Sequence, residues 1–69
     1  MSAVNKALIE AAKEGRVYDM EAAVMSGADV NARGQYCYSP LQWAAVNGHW
    51  LAVKWLIDHG AEVNIRTDV

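Results

Sequence analysis

Ser39-Pro40-Leu41-Gln42-Trp43-Ala44-Ala45-Val46-Asn47-Gly48-His49 is the stretch whose reading decides the fold. Ser39 can accept from the free amides of a first helical turn, and Pro40 suits the first helical position, where a missing N–H costs nothing. The helix so begun runs to about Asn47, where Gly48 supplies the left-handed stop. Downstream, Trp50, Val53, Leu56 and Ile57 recur at helical spacing. They predict a second helix from about Trp50 to His59 with that stripe facing a core, and Gly60 ends it.

Sliding the chain by 33 positions brings a second copy of this pattern into register. Leu8 meets Leu41, the pair Ala11 and Ala12 meets Ala44 and Ala45, and Gly15 meets Gly48. Gly27-Ala28 meets Gly60-Ala61, and Val30-Asn31 meets Val63-Asn64. Asp29 and Glu62 keep the charge, and Arg33 meets Arg66. The first half therefore predicts helices near Lys6–Glu14 and Val17–Ser26, stopped by Gly15 and Gly27. Between the halves, Ala28 to Tyr38 is too long for a tight turn and suits an extended, protruding hairpin. The alternative is a four-helix bundle whose halves match by accident. That would not repeat glycines, an alanine pair and Val-Asn at one period without a gap.

Composition bounds what such a chain can do. Its 69 residues make one small domain, and a core of this size supplies roughly 3–5 kcal/mol. The single cysteine, Cys37, allows no internal disulfide and points to a reducing, cytoplasmic or nuclear location. Net charge is −2, with scattered Lys and Arg, which excludes the basic stripe of a nucleic-acid binder. No segment approaches the roughly 18 apolar residues of a membrane span, and the N-terminus lacks the pattern of a signal peptide. Cys37, His49 and His59 match no zinc spacing and leave a fourth ligand missing. No Gly-rich phosphate loop and no nucleophile with its base is present. Glu10, Glu14, Asp19 and Glu21 read as a solvated acidic face. The expectation is a protein without cofactor or metal that is not an enzyme.

These residues resemble the ankyrin repeat, with its 33-residue period and T-P-L-H-x-A signature. Ser39 to Ala45 stands for that signature, and Gly60-Ala61-Glu62-Val63-Asn64 and Gly27-Ala28-Asp29-Val30-Asn31 for the later motif. The resemblance covers nearly the whole chain. It implies an all-α solenoid of two helix–turn–helix repeats, about 1–33 and about 34–66, joined by a protruding hairpin, with the start of a further hairpin at 66–69. Ser39 and Gln42 replace Thr and His, and either can still bond locally. Cys37 stands where the family places a hairpin glycine, and a Cβ disfavours positive φ there. The first repeat looks like an N-terminal cap: Glu10 falls where repeat two has Trp43, so Glu10 should face water and Trp43 should pack on repeat one.

Function then follows as expectation. The resemblance implies a protein partner met by hairpin tips and first-helix surface. Those positions are Gln35, Tyr36, Tyr38, Val46 and Asn47 in repeat two, and Asn5, Lys13 and Glu14 in repeat one. Tyrosine buries much area with few rotamers to freeze. Trp43 and Trp50 read as core. Trp55 aligns with Ala22 and, with Leu51, is the candidate for self-association through a face of repeat two that no polar closing helix pair covers. That makes a homo-oligomer, or the start of a longer array, the second reading. It would make the chain an assembly scaffold. Asn31 and Asn64 read first as hairpin-bonding side chains; the resemblance also implies asparagine hydroxylation sites there.

Overall fold

The computed structural model describes residues 2–63, apart from the side chain of Gln35. The first helix, α1, is Ala3–Glu14. It starts ahead of Lys6, where the period pointed, because Ser2 caps it: its side chain accepts from the Asn5 amide at 3.3 Å. Gly15 ends it at φ 70°. After this two-residue turn, α2 is Val17–Met25. The second pair, α3 (Pro40–Val46) and α4 (Trp50–Asp58), repeats the design. Ser39 and Gln42 form a full capping box: the Ser39 oxygen accepts from the Gln42 amide at 3.3 Å, and Gln42 Oε1 accepts from the Ser39 amide at 3.0 Å. Two orphan amides are thereby satisfied by residues that replace Thr and His.

α1 lies on α2 and α3 on α4, and the two hairpins stack side by side mainly through α1 and α3. α2 and α4 touch only lightly. The core is built largely from alanine, with Ala11, Ala12, Ala23, Ala44 and Ala52 packed around Leu8, Met20, Leu41 and Leu56. Small side chains let the helices approach closely at the cost of little area buried per residue.

One polar device holds the two repeats in register. The carbonyl of Lys13, an orphan at the end of α1, accepts from Asn47 Nδ2 at 2.9 Å and from His49 Nε2 at 3.0 Å. A carbonyl only accepts, so the imidazole carries its hydrogen on Nε2. The His49 ring lies so close to Gly15 that a Cβ there would stand 2.7 Å from it. A second device acts at the loops. Asn31 Nδ2 donates to the Gly60 carbonyl at 3.3 Å, while its Oδ1 accepts from the Glu62 amide at 2.8 Å. One period earlier, the Asp29 amide donates to Asn5 Oδ1 at 2.7 Å. Asn5 thus does from inside α1 what Asn31 does from the neighbouring repeat.

One expectation is corrected. Trp50 is not core; it is 68 % exposed. Its counterpart Val17 is half-buried and packed on the core, so the stripe position faces along the stack and not the interior of its own repeat. Ile57 is exposed for the same reason, whereas Leu56 is fully buried and Val53 partly so. The connection between repeats carries no strand among the described residues. A 3-10 turn, Gln35–Cys37, is closed by Gly34. The Cys37 amide donates to the Gly34 carbonyl and the Gly34 amide to the Tyr38 carbonyl, each at 3.0 Å. Tyr36 and Cys37 both take positive φ, 61° and 58°, the conformation that disfavours a Cβ. Residues 64–69, where a further hairpin is expected to begin, lie outside the described residues, as does Asn64.

Gly15 and Gly48 form a matched pair, at φ 70° and 73°, the first against His49 and the second with nothing within 4 Å. Gly48→Ala should cost the left-handed strain alone, about 1–2 kcal/mol. Gly15→Ala should cost a further 1–3 kcal/mol, roughly, for overpacking the imidazole. Urea unfolding followed by helical circular dichroism measures the difference; equal losses would rule out a packing role for His49. By the same method Cys37→Gly should gain about 0.5–1 kcal/mol, the relieved strain less the added chain entropy.

Candidate functional site

The turn Gln35–Cys37 and the start of α3 present a cluster of aromatic rings. Tyr38 and Trp43 lie 5.1 Å apart between centroids, Tyr36 and Trp43 6.3 Å, and Tyr36 and Tyr38 6.4 Å in an edge-on arrangement. Tilted contacts of this kind set the positive edge of one ring toward the negative face of another. From repeat one, the Lys13 ammonium sits 4.4 Å from the Trp43 centroid, a cation–π contact, and Glu10 Oε1 lies 3.5 Å from the same ammonium. The gradient of burial runs outward: Trp43 and Tyr38 are half-buried, and Tyr36 is 72 % exposed.

Local sequence explains the placement. The positive φ of Tyr36 swings its ring out of the turn while Gly34 closes the loop behind it. Arg33 Nη1 donates to the Cys37 carbonyl at 3.0 Å and steadies the far side. Ser39 then turns the chain into α3, which carries Trp43 onto α1. Trp43 packs on repeat one as the period predicts, and it also supplies the ring around which the tyrosines gather. That second role was not read from the sequence, since only the Lys13 and Tyr contacts reveal it.

The structure thus brings Tyr36, Tyr38 and Lys13 together. It does not bring the remaining expected contacts to the same place. Val46 is exposed at the end of α3, on the side of repeat two turned away from repeat one. Asn47 is solvent-exposed, but its amide is committed to the Lys13 carbonyl. Glu14 pairs with Arg16 at 2.8 Å, on the turn between α1 and α2. Asn5 is occupied with the Asp29 amide. Asn31 has both ends of its amide bound, so its structural role is visible directly. Gln35 lies in the turn, its side chain outside the described residues. Cys37 is an exposed free thiol.

The uncovered end of repeat two has its own character. Ala45, Val46, Trp50, Ile57 and Val63 are exposed. Their counterparts one period earlier, Ala12, Lys13, Val17, Val24 and Val30, are buried or half-buried. Leu51 and Trp55 are not part of this face. They line a groove between α2 and α4 with Val17, Tyr18 and Glu21. The opposite end, before repeat one, carries Glu10, Arg16 and Asp19 among alanines and Val4. In repeat two those positions hold Trp43, His49 and Ala52, covered by repeat one. The end before repeat one thus sets charged side chains among small ones, whereas the end of repeat two exposes large apolar side chains. Among the described residues no group of three His, Cys, Asp or Glu stands close enough to share a metal, and no helix is long and apolar enough to cross a membrane.

Comparison with known proteins agrees with this architecture. Residues 2–67 match the family model described as ankyrin repeats in three copies. The chain is 36 % identical over 62 residues to a putative ankyrin repeat protein of fowlpox virus, a match covering 90 % of this chain and 9 % of that protein. It is 39 % identical over 64 residues to ankyrin repeat domain-containing protein 49 of Bos taurus, covering 91 % of this chain and 27 % of that protein. It is 36 % identical over 67 residues to the mitochondrial disaggregase of Bos taurus, covering 97 % of this chain and 10 % of that protein. The chain therefore spans less than a third of the length of each of these relatives. With two helix–turn–helix units in a 33-residue register and a match along nearly the whole chain, the chain belongs to the ankyrin repeat family, whose repeats are typically non-catalytic modules for protein–protein interaction.

Proposed function

We propose that this chain recognises a partner protein through the aromatic cluster at its inter-repeat turn, with Tyr36 as the protruding contact, Tyr38 beside it and Lys13 at the edge. The observation that carries the reading is Tyr36 itself. A large ring that is 72 % exposed is held at positive φ, in a turn that glycine would relax. Backbone strain persists where the surrounding structure enforces it, and such sites cluster where molecules are bound. The half-buried Tyr38 and Trp43 beneath it limit its motion, so less entropy is lost when a partner covers it. A reducing compartment, cytosol or nucleus, fits the exposed thiol of Cys37 beside this surface.

The test compares wild type with Tyr36→Ala/Tyr38→Ala. Partners should be enriched on the wild-type chain, and their affinity, measured by calorimetry, should fall by about 2 kcal/mol or more in the double variant. Helical content should stay the same. Unchanged affinity would remove these tyrosines from the interface.

A specific observation also favours assembly as a second reading. The apolar face of Val46, Trp50 and Ile57 occupies the same positions that repeat one uses to hold repeat two. It is therefore suited to another repeat or another copy of the chain. Sedimentation velocity over a wide concentration range should show growth in mass, and Trp50→Asp should abolish it. A folded monomer at every concentration would refute homo-oligomerisation.

A further inference from the structure

On the outer side of the molecule, away from the turn that carries Tyr36, the light contact between α2 and α4 leaves an open groove of about 450 Å3. Tyr18 from α2 and Leu51 and Trp55 from α4 give it apolar walls. Tyr18 is 87 % and Leu51 79 % exposed. The two stand one period apart, so the repeat places a large apolar side chain at the same outer position twice. Trp55 is fixed in place: its ring stacks on His59 at 3.8 Å and 18°, and His59 Nδ1 donates to the Trp55 carbonyl at 2.7 Å. A wall locked in this way loses little freedom when a ligand covers it.

The charges around the groove are unequal. Lys54 pairs with Asp58 at 3.5 Å on the α4 side. Glu21, on the α2 side, lines the groove and makes no ion pair among the described residues. Among the described residues, Glu21 thus leaves one negative charge uncompensated beside an apolar trough. We propose that this groove is a second recognition surface, taking a peptide segment of a partner protein that places an apolar side chain between Tyr18, Leu51 and Trp55 and a lysine or arginine against Glu21. Charge decides against the other occupants. A second copy would bring the same groove, with Glu21 and Asp58 against the single Lys54, and two surfaces of like net charge repel. An anionic membrane surface would meet the same net negative charge.

This surface is separate from the Tyr36 cluster, so either can fail without the other. The test uses three small probes with one apolar body: 4-phenylbutylammonium, 4-phenylbutanol and 4-phenylbutyrate. Each is titrated into the 15N-labelled chain and read at the Trp55 indole N–H by NMR. The ammonium should bind saturably, about threefold tighter than the alcohol, with the carboxylate weakest. Glu21→Gln should bring ammonium and alcohol to the same affinity. Tyr18→Ala/Leu51→Ala, at two exposed positions that the fold does not need, should remove saturation for all three probes. Three results would overturn the proposal: no saturable shift at Trp55, equal affinity for ammonium and carboxylate, or shifts confined to the Trp43 cluster.

Discussion

The rest of the structure depends on one carbonyl oxygen. Lys13 stands one residue before the end of α1, and its carbonyl has no partner inside that helix. Two side chains of the following repeat, Asn47 and His49, supply both hydrogen bonds it can take. They come from the turn that joins α3 and α4, so the end of one hairpin is capped by the bend of the next. The glycine at position 15 has two tasks here. It reverses the chain at positive φ, and it leaves the space that the His49 ring fills. A fold whose core is mostly alanine gains little from area alone, and such directional contacts fix how far one repeat slides along the other.

The loops repeat this logic with asparagine. Asn31 spans from its own repeat to the Gly60 carbonyl and the Glu62 amide, and Asn5 meets the equivalent amide of Asp29 from within α1. The first repeat therefore satisfies that loop amide from its own helix. Its outer face agrees, with Glu10 and Asp19 where repeat two buries Trp43 against Lys13 and seals Ala52 in the core. The stack is thus directional in both polarity and hydrogen bonding. An end bearing Glu10, Arg16 and Asp19 among small side chains gives way to one bearing Val46, Trp50 and Ile57.

Against this economy, the inter-repeat turn is costly. Two consecutive non-glycine residues at positive φ oppose stability, and neither is compelled by the core. What the strain achieves is the display of Tyr36 above Tyr38 and Trp43. Strained backbone persists where the surrounding structure enforces it, and it clusters where molecules are bound. The outer groove makes a quieter case, since Tyr18 and Leu51 are placed without strain, and their exposure is what sets them apart.

The sequence alone determined the architecture. Helix starts and stops are local matters of capping oxygens, proline and glycine, and Ser39-Pro40, Gly15, Gly48 and Gly60 state them outright. The period of 33 then fixed which residues are equivalent, and so the polar character of Glu10 and the packing of Trp43 on repeat one. What the sequence could not rank was the several apolar directions that a helix in a stack possesses. Trp50, Ile57, Leu51 and Trp55 all sit at helical spacing, yet one pair faces along the stack and the other faces α2 across a groove. Periodicity reports that a face is apolar; only the neighbour that covers it, or leaves it bare, decides what that face is. The same holds for the site. Tyr36 and Tyr38 were legible as turn residues, but their clustering with Trp43 and Lys13 joins residues 13 to 43. That contact exists only once His49 and Asn47 have locked the two repeats together.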